Sequence, residues 1–209
     1  MDDVLFWGTA IVPHFYLGKI MPKRKKSVRF VSRGGDKLDG ALVEFGLDLT
    51  GKTAADLGAN VGGFTDCLLQ RGVTRVYAVE TGYGVLDWTL RQDDRVIVME
   101  RTNALHVTLP ERVYVVVIDV GWTPVGRIVP VAMDLLSPDG FVVALLKPQY
   151  EARPDELKGG VVIPPCLENV VDRALTGLLE QCIQVIDQRP SSIAGSGGNL
   201  EYLVLLKPA

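Results

Sequence analysis

The chain has 209 residues, enough for one α/β domain with a substantial core and too few for two ordinary domains. Hydrophobic residues make up 47% and charged residues 22% with a net charge of −3, which excludes a largely disordered chain, and no apolar run approaches the roughly 18 to 20 residues that span a bilayer. Three widely spaced cysteines without a CxxC pair, and two histidines, argue against a disulfide framework or a zinc site; the apolar start is broken by Gly8, Pro13 and His14 and lacks the order of a signal peptide, so a cytoplasmic protein is expected.

In chain order, the first feature is basic. Between residues 19 and 37 stand Lys19, Lys23, Arg24, Lys25, Lys26, Arg29, Arg33 and Lys37 against one acid, Asp36, near +7 in total, which leaves near −10 for the remainder. Such asymmetry belongs either to an arm that meets phosphates or to a solvated tail. Helical spacing of Leu38, Ala41, Leu42 and Phe45, closed by Gly46, predicts a helix over 36–45. From there short β-branched runs alternate with helical patterns: strands are expected near 53–57, 75–80, 96–100, 113–119, 139–147, 183–189 and 200–207, and further helices over 63–69, 125–136 and 165–179. The last two strands are joined by "SSIAGSGG" with no crossover helix, so one strand should run antiparallel. The expected fold is therefore α/β and Rossmann-like, of the class I methyltransferase type, with a seven-stranded, mostly parallel sheet.

The segment "DLGANVGGFTDCLLQRG" (56–72) follows the first predicted strand, where such sheets bind ligands. Its spacing departs from the GxGxxG of dinucleotide enzymes and lacks the Gly-Lys-Ser/Thr of a phosphate loop. A close backbone approach without a phosphate cradle suits S-adenosylmethionine. Asp56, Gly58, Ala59, Asn60, Gly62, Gly63 and Phe64 are its candidate contacts, with Glu80 at the end of the second strand as acceptor for ribose hydroxyls. The bland alternative is a tight turn with close helix packing. Asn103 stands open between an adenine contact and an ordinary loop residue.

Four ionisable residues sit in or beside predicted strands: Asp119 ends "VYVVVID", Lys147 ends "FVVALLK", Glu201 lies in "NLEYLVLL", and Lys37 begins the helix before the sheet. Taken singly, each is an ordinary strand-end or cap residue. Their order and spacing resemble the Lys-Asp-Lys-Glu tetrad of the FtsJ-like RNA ribose 2'-O-methyltransferases. The stretches "FVSRGGDKLDGALVEFGLDLTGKTAADLGANVGGFTDCLLQRG", "YGVLDWTLRQDDRV", "MERTNA", "ALLKPQYEA" and "KGGVV" are similar to the TlyA branch of that group, ribosomal RNA methyltransferases that have also been labelled hemolysins. The resemblance runs from about Phe30 to Lys207.

That resemblance implies Lys37, Asp119, Lys147 and Glu201 as catalytic positions, S-adenosylmethionine as cofactor without a metal, and RNA, ribosomal RNA or ribosomal subunits as partner. Lys147 is expected to take the proton of the attacking ribose hydroxyl, helped by burial and a second lysine nearby. Asp119 and Glu201 would orient the two amino groups. Lys23, Arg24, Lys25, Lys26, Arg29 and Arg33 are the expected phosphate contacts. The chain departs from the branch in two respects. Residues 1–29 make a short basic segment without a complete S4 RNA-binding domain, followed by the methyltransferase domain over 30–209. After Asp119 it reads Val120-Gly121-Trp122-Thr123-Pro124 where the family tends to carry Ser-Phe-Ile-Ser. Two roles stay open for Trp122, stacking on a target base or packing half-buried. Other readings are a non-catalytic RNA-binding or ribosome-assembly protein, a small-molecule methyltransferase, and a membrane-lytic protein, for which the sequence has no amphipathic basic helix.

Overall fold

The computed structural model of the chain describes residues 29–195 and 197–209. Lys23, Arg24, Lys25 and Lys26 lie outside the described residues. Seven strands form one sheet in the order β3-β2-β1-β4-β5-β9-β8. They are β1 (Thr53–Leu57), β2 (Arg75–Val79), β3 (Val96–Met99), β4 (Val113–Ile118), β5 (Leu136–Leu146), β8 (Ile183–Pro190) and β9 (Tyr202–Pro208), with a small antiparallel pair, β6 (Leu157–Lys158) and β7 (Val161–Val162), standing apart. The first five run parallel, and β9 is antiparallel to both of its neighbours. The predicted single reversal is therefore present, and it falls on the last strand.

Central strands read as unbroken apolar runs because both faces are covered. In β4, Val115 and Val117 join one core with Leu38, Leu42, Phe64 and Leu68, while Val116 and Ile118 join the other with Ile128, Val129, Val171 and Leu178. One layer holds α1 (Arg33–Glu44) and α2 (Gly63–Gln70); the opposite layer holds α4 (Val125–Asp134) and α5 (Leu167–Leu179). The short α3 (Trp88–Arg91) was not anticipated, nor was the β6–β7 hairpin.

Three boundaries differ from expectation. Ser32 caps α1, its Oγ accepting the Gly34 N–H, so the helix begins at Arg33 ahead of the apolar periodicity. Strand β5 starts at Leu136, ahead of the expected 139, paired with Val113 across a bulge. The consecutive prolines make a 3-10 turn, Pro164–Cys166, before α5 begins.

The order of the strands reverses between β1 and β4, which run parallel, and this places the site. Leu57 pairs with Ile118, and the next residue of each strand, Gly58 and Asp119, lies at the carboxyl edge of that crevice. The N-termini of α1 and α2 close over it: a Cβ on Gly63 would collide with Ser32 Oγ and lie 2.9 Å from the Gly35 backbone nitrogen.

Candidate active site

At the crevice Gly58 carries φ 91°, and a Cβ there would lie 2.7 Å from the Asp119 carbonyl oxygen. Glycine is thus required by both its backbone and its neighbour. A cavity of about 370 Å³ opens above it, lined by Ser32, Arg33, Gly34, Lys37, Gly58, Ala59, Asn60, Val61, Gly63, Phe64, Asp119, Gly121, Lys147 and Glu201. All four tetrad residues therefore face one space, although Lys37 and Glu201 are separated by 164 positions in sequence.

They stand in two pairs. Lys37 Nζ donates to Glu201 Oε2 at 2.5 Å, from a glutamate side chain only 4% exposed. Lys147 Nζ lies 2.6 Å from Asp119 Oδ1 and donates to the Val120 carbonyl oxygen at 3.0 Å. Two of the three donor directions of Lys147 are thereby engaged, and one is left for the cavity. Glu201 is held closely: a Cβ on Gly195 would collide with its carboxylate, and the Ser191 N–H donates to its carbonyl oxygen at 2.7 Å. The loop containing Gly195 is anchored by buried Asn199, whose Oδ1 accepts the Val162 N–H and whose Nδ2 donates to the Gly160 carbonyl, both at 3.0 Å. Asn199 did not stand out in the sequence, since its partners lie 37 and 39 residues away.

A second cavity of about 270 Å³ adjoins the first and shares Gly58, Asn60, Asp119 and Gly121 with it. Glu80, Thr81, Thr102 and Asn103 line it, with Trp122 at its border. Glu80 Oε2 accepts the Asn60 N–H and Oε1 the Gly82 N–H, each at 2.8 Å. This holds the glycine loop against the end of β2 and leaves a lone pair on Oε2 for a ligand hydroxyl. Asn103 Oδ1 accepts the Leu105 N–H at 3.0 Å, which leaves its amide NH₂ group as donor. An acidic acceptor, an amide donor and a close glycine backbone along one continuous cleft fit an adenosine and its amino-acid extension.

Two residues expected at the cofactor line neither cavity. Asp56 is fully buried behind the loop, its Oδ2 accepting from Thr65 Oγ1 at 2.7 Å and its Oδ1 without a partner. Burial pushes its carboxyl up to about 7, and the charges of Asp119 and Glu80 add to the rise. Gly62 takes φ 104° at the start of α2 and packs against Leu86 and Leu90, where a side chain would clash. Of the expected phosphate contacts that are described, Arg33 lines the first cavity, whereas Arg29 pairs with Asp39 at 2.6 Å and lies over the Phe30 ring. Trp122 is 87% exposed, takes φ 60° and meets the Tyr150 ring at 5.3 Å, so it is not a packing residue. Among the described residues no helix is long and apolar enough to cross a membrane.

Known proteins resemble this chain in sequence and fold. The chain is 38% identical over 184 residues to hemolysin A of Brachyspira hyodysenteriae, covering 85% of this chain and 77% of that protein. It is 38% identical over 187 residues to the 16S/23S rRNA (cytidine-2'-O)-methyltransferase TlyA of Mycobacterium tuberculosis, covering 85% of this chain and 68% of that one. The crystal structure of a hemolysin-named protein from Lactococcus lactis superposes with a TM-score of 0.81 at 37% identity, over 86% of this chain and 89% of that chain. With the FtsJ-like methyltransferase pattern matched over residues 30–208, the chain belongs to the FtsJ-like methyltransferase family.

Proposed function

We propose that this chain transfers a methyl group from S-adenosylmethionine to the ribose 2'-hydroxyl of a cytidine in ribosomal RNA. The observation that carries this reading is the pair of lysine–carboxylate contacts in one cavity beside the Gly58 loop. The name of the M. tuberculosis relative supports the substrate class and the nucleoside. When bound, S-adenosylmethionine supplies a methyl group on a positively charged sulfur, already activated for attack by oxygen.

The protein's work is then alignment and removal of one proton. Lys147, as the free amine, accepts the proton of the 2'-hydroxyl, and Asp119 with the Val120 carbonyl fixes the direction of its nitrogen. Glu201 holds Lys37, which donates to the same hydroxyl oxygen or to an adjacent phosphate. Glu80 would accept from the cofactor's ribose and Asn103 would donate to its adenine, while Gly58, Ala59, Asn60, Gly63 and Phe64 would shape the wall between donor and acceptor. Most of the acceleration comes from holding the reacting atoms in line. Arg33, with Lys23, Arg24, Lys25 and Lys26, would meet RNA phosphates, and exposed Trp122 would stack on a base.

The test is transfer of a labelled methyl group to unmodified ribosomal subunits and to their stripped RNA. Label recovered in 2'-O-methylcytidine is the expected result. Cofactor binding without transfer to either substrate would overturn the assignment of ribosomal RNA.

A further inference from the structure

The loop after β4 and the turn after β5 carry Asp119 and Lys147, and they touch at three places. Lys147 meets Asp119 and the Val120 carbonyl, the Tyr150 ring meets Trp122, and Glu151 Oε1 accepts the Val125 N–H at 2.7 Å. The first two contacts lie at the cleft. Glu151 lines neither cavity.

Glu151 answers a local need. Helix α4 begins after Pro124, whose carbonyl accepts the Arg127 N–H at 3.0 Å but which offers no side-chain acceptor, so the Val125 N–H has no partner from its own segment. A carboxylate arriving from 26 residues later fills the place and suits the positive end of the helix. Its own backbone is anchored: the Glu151 N–H donates to the Pro148 carbonyl at 3.0 Å, the Tyr150 N–H to the Lys147 carbonyl at 2.9 Å, and Arg173, bound to Glu156, reaches the Glu151 carbonyl at 3.4 Å. Burial raises the Glu151 carboxyl above its usual range, against the Val125 bond and the Arg173 charge that lower it. A group kept in so unfavourable a place serves its contact.

The contact matters because of what it bounds. Trp122 holds a left-handed backbone at φ 60°, a conformation that persists in a bulky residue only when its surroundings fix it. One end of its loop is fixed by the Asp119 N–H on the Leu57 carbonyl at 3.0 Å, and the other by Val125 on Glu151. Release at the second end lets the loop relax beside Asp119.

We propose that Glu151 is a positioning residue: by capping α4 it locks the loop bearing Asp119 against the turn bearing Lys147, and so sets where the Lys147 nitrogen points. This rests on the methyl-transfer reading for its effect on rate, though not for its effect on the loop.

The experiment compares the full chain with Glu151→Ala and Glu151→Gln in methyl-transfer kinetics and in amide hydrogen exchange over 119–127. Expected for Glu151→Ala is a kcat lower by about 10- to 100-fold with KM for donor and RNA within about 3-fold, and faster exchange in that segment. Glu151→Gln keeps an acceptor oxygen for Val125 and should restore both readouts to within about 3-fold of wild type. Unchanged kcat and exchange in the alanine variant would overturn the inference, as would a glutamine variant as impaired as alanine. If the wild-type chain itself transfers no methyl group, the methylation reading fails; exchange then decides alone, with faster exchange in alanine but not glutamine supporting the lock and equal exchange refuting it.

Discussion

The two lysine–carboxylate pairs have the same chemistry and different surroundings. Lys37–Glu201 joins the first helix to the residue before the last strand, with side chains 12% and 4% exposed, and is walled by Gly195. Lys147–Asp119 joins neighbouring strand ends, and its carboxylate is 27% exposed. A dry pair is costly to break and resists rearrangement, whereas a pair with water at its carboxylate can exchange protons and partners during a reaction. On the proposed methyl-transfer reading, the difference suits Lys37–Glu201 to holding and Lys147–Asp119 to reacting.

Mutating each lysine is the strongest way to break this division. Lys147→Ala is expected to lower methyl transfer by about 10³-fold or more while cofactor affinity stays within a few-fold, the loss of a general base. Lys37→Ala should cost about 10²-fold, the loss of one donor. A larger loss at Lys37 in single-turnover assays would exchange the two roles. The carboxylates sharpen the contrast through stability. Glu201→Gln should destabilise by about 2 kcal/mol or more because it breaks a buried pair, and Asp119→Asn by less than about 1 kcal/mol, both read by denaturant unfolding. Equal effects would mean that burial does not distinguish the pairs.

Asp56 supplies the smallest effect and the limiting case, a buried carboxylate with no basic partner among the described residues. Its carboxyl is raised from 3.8 to about 7 in the fold, so the native state binds the proton more tightly than the unfolded chain. That contribution to stability is complete below the unfolded value and is lost as pH rises through about 7. Asp56→Asn should therefore gain on wild type in melting temperature between about pH 4 and pH 7, and a constant offset across that range would refute the assignment.

Much of the site was legible because the fold converts strand ends into neighbours. Asp119 and Lys147 each follow an apolar strand, so placing the strands places the residues. Lys37 and Glu201 needed the family resemblance, since nothing local says that the first helix meets the last strand. Glu151 and Asn199 were not legible: each acts through one hydrogen bond or two to a loop fixed by tertiary packing. Asp56 and Gly62 line neither cavity, because a glycine-rich motif contains residues that build its back wall as well as its front.

The start of the described chain is tied down beside this cleft. The Val31 N–H donates to Asp66 at 2.8 Å, and Gln70 donates to the Arg29 carbonyl at 3.0 Å, so the backbone enters the domain clamped to α2 immediately before Ser32 and Arg33 line the cavity. On the proposed reading, a phosphate held by Arg33 would be fixed to that clamped backbone, and its neighbouring nucleotides would meet the cleft at a local concentration set by the protein rather than by the bulk solution.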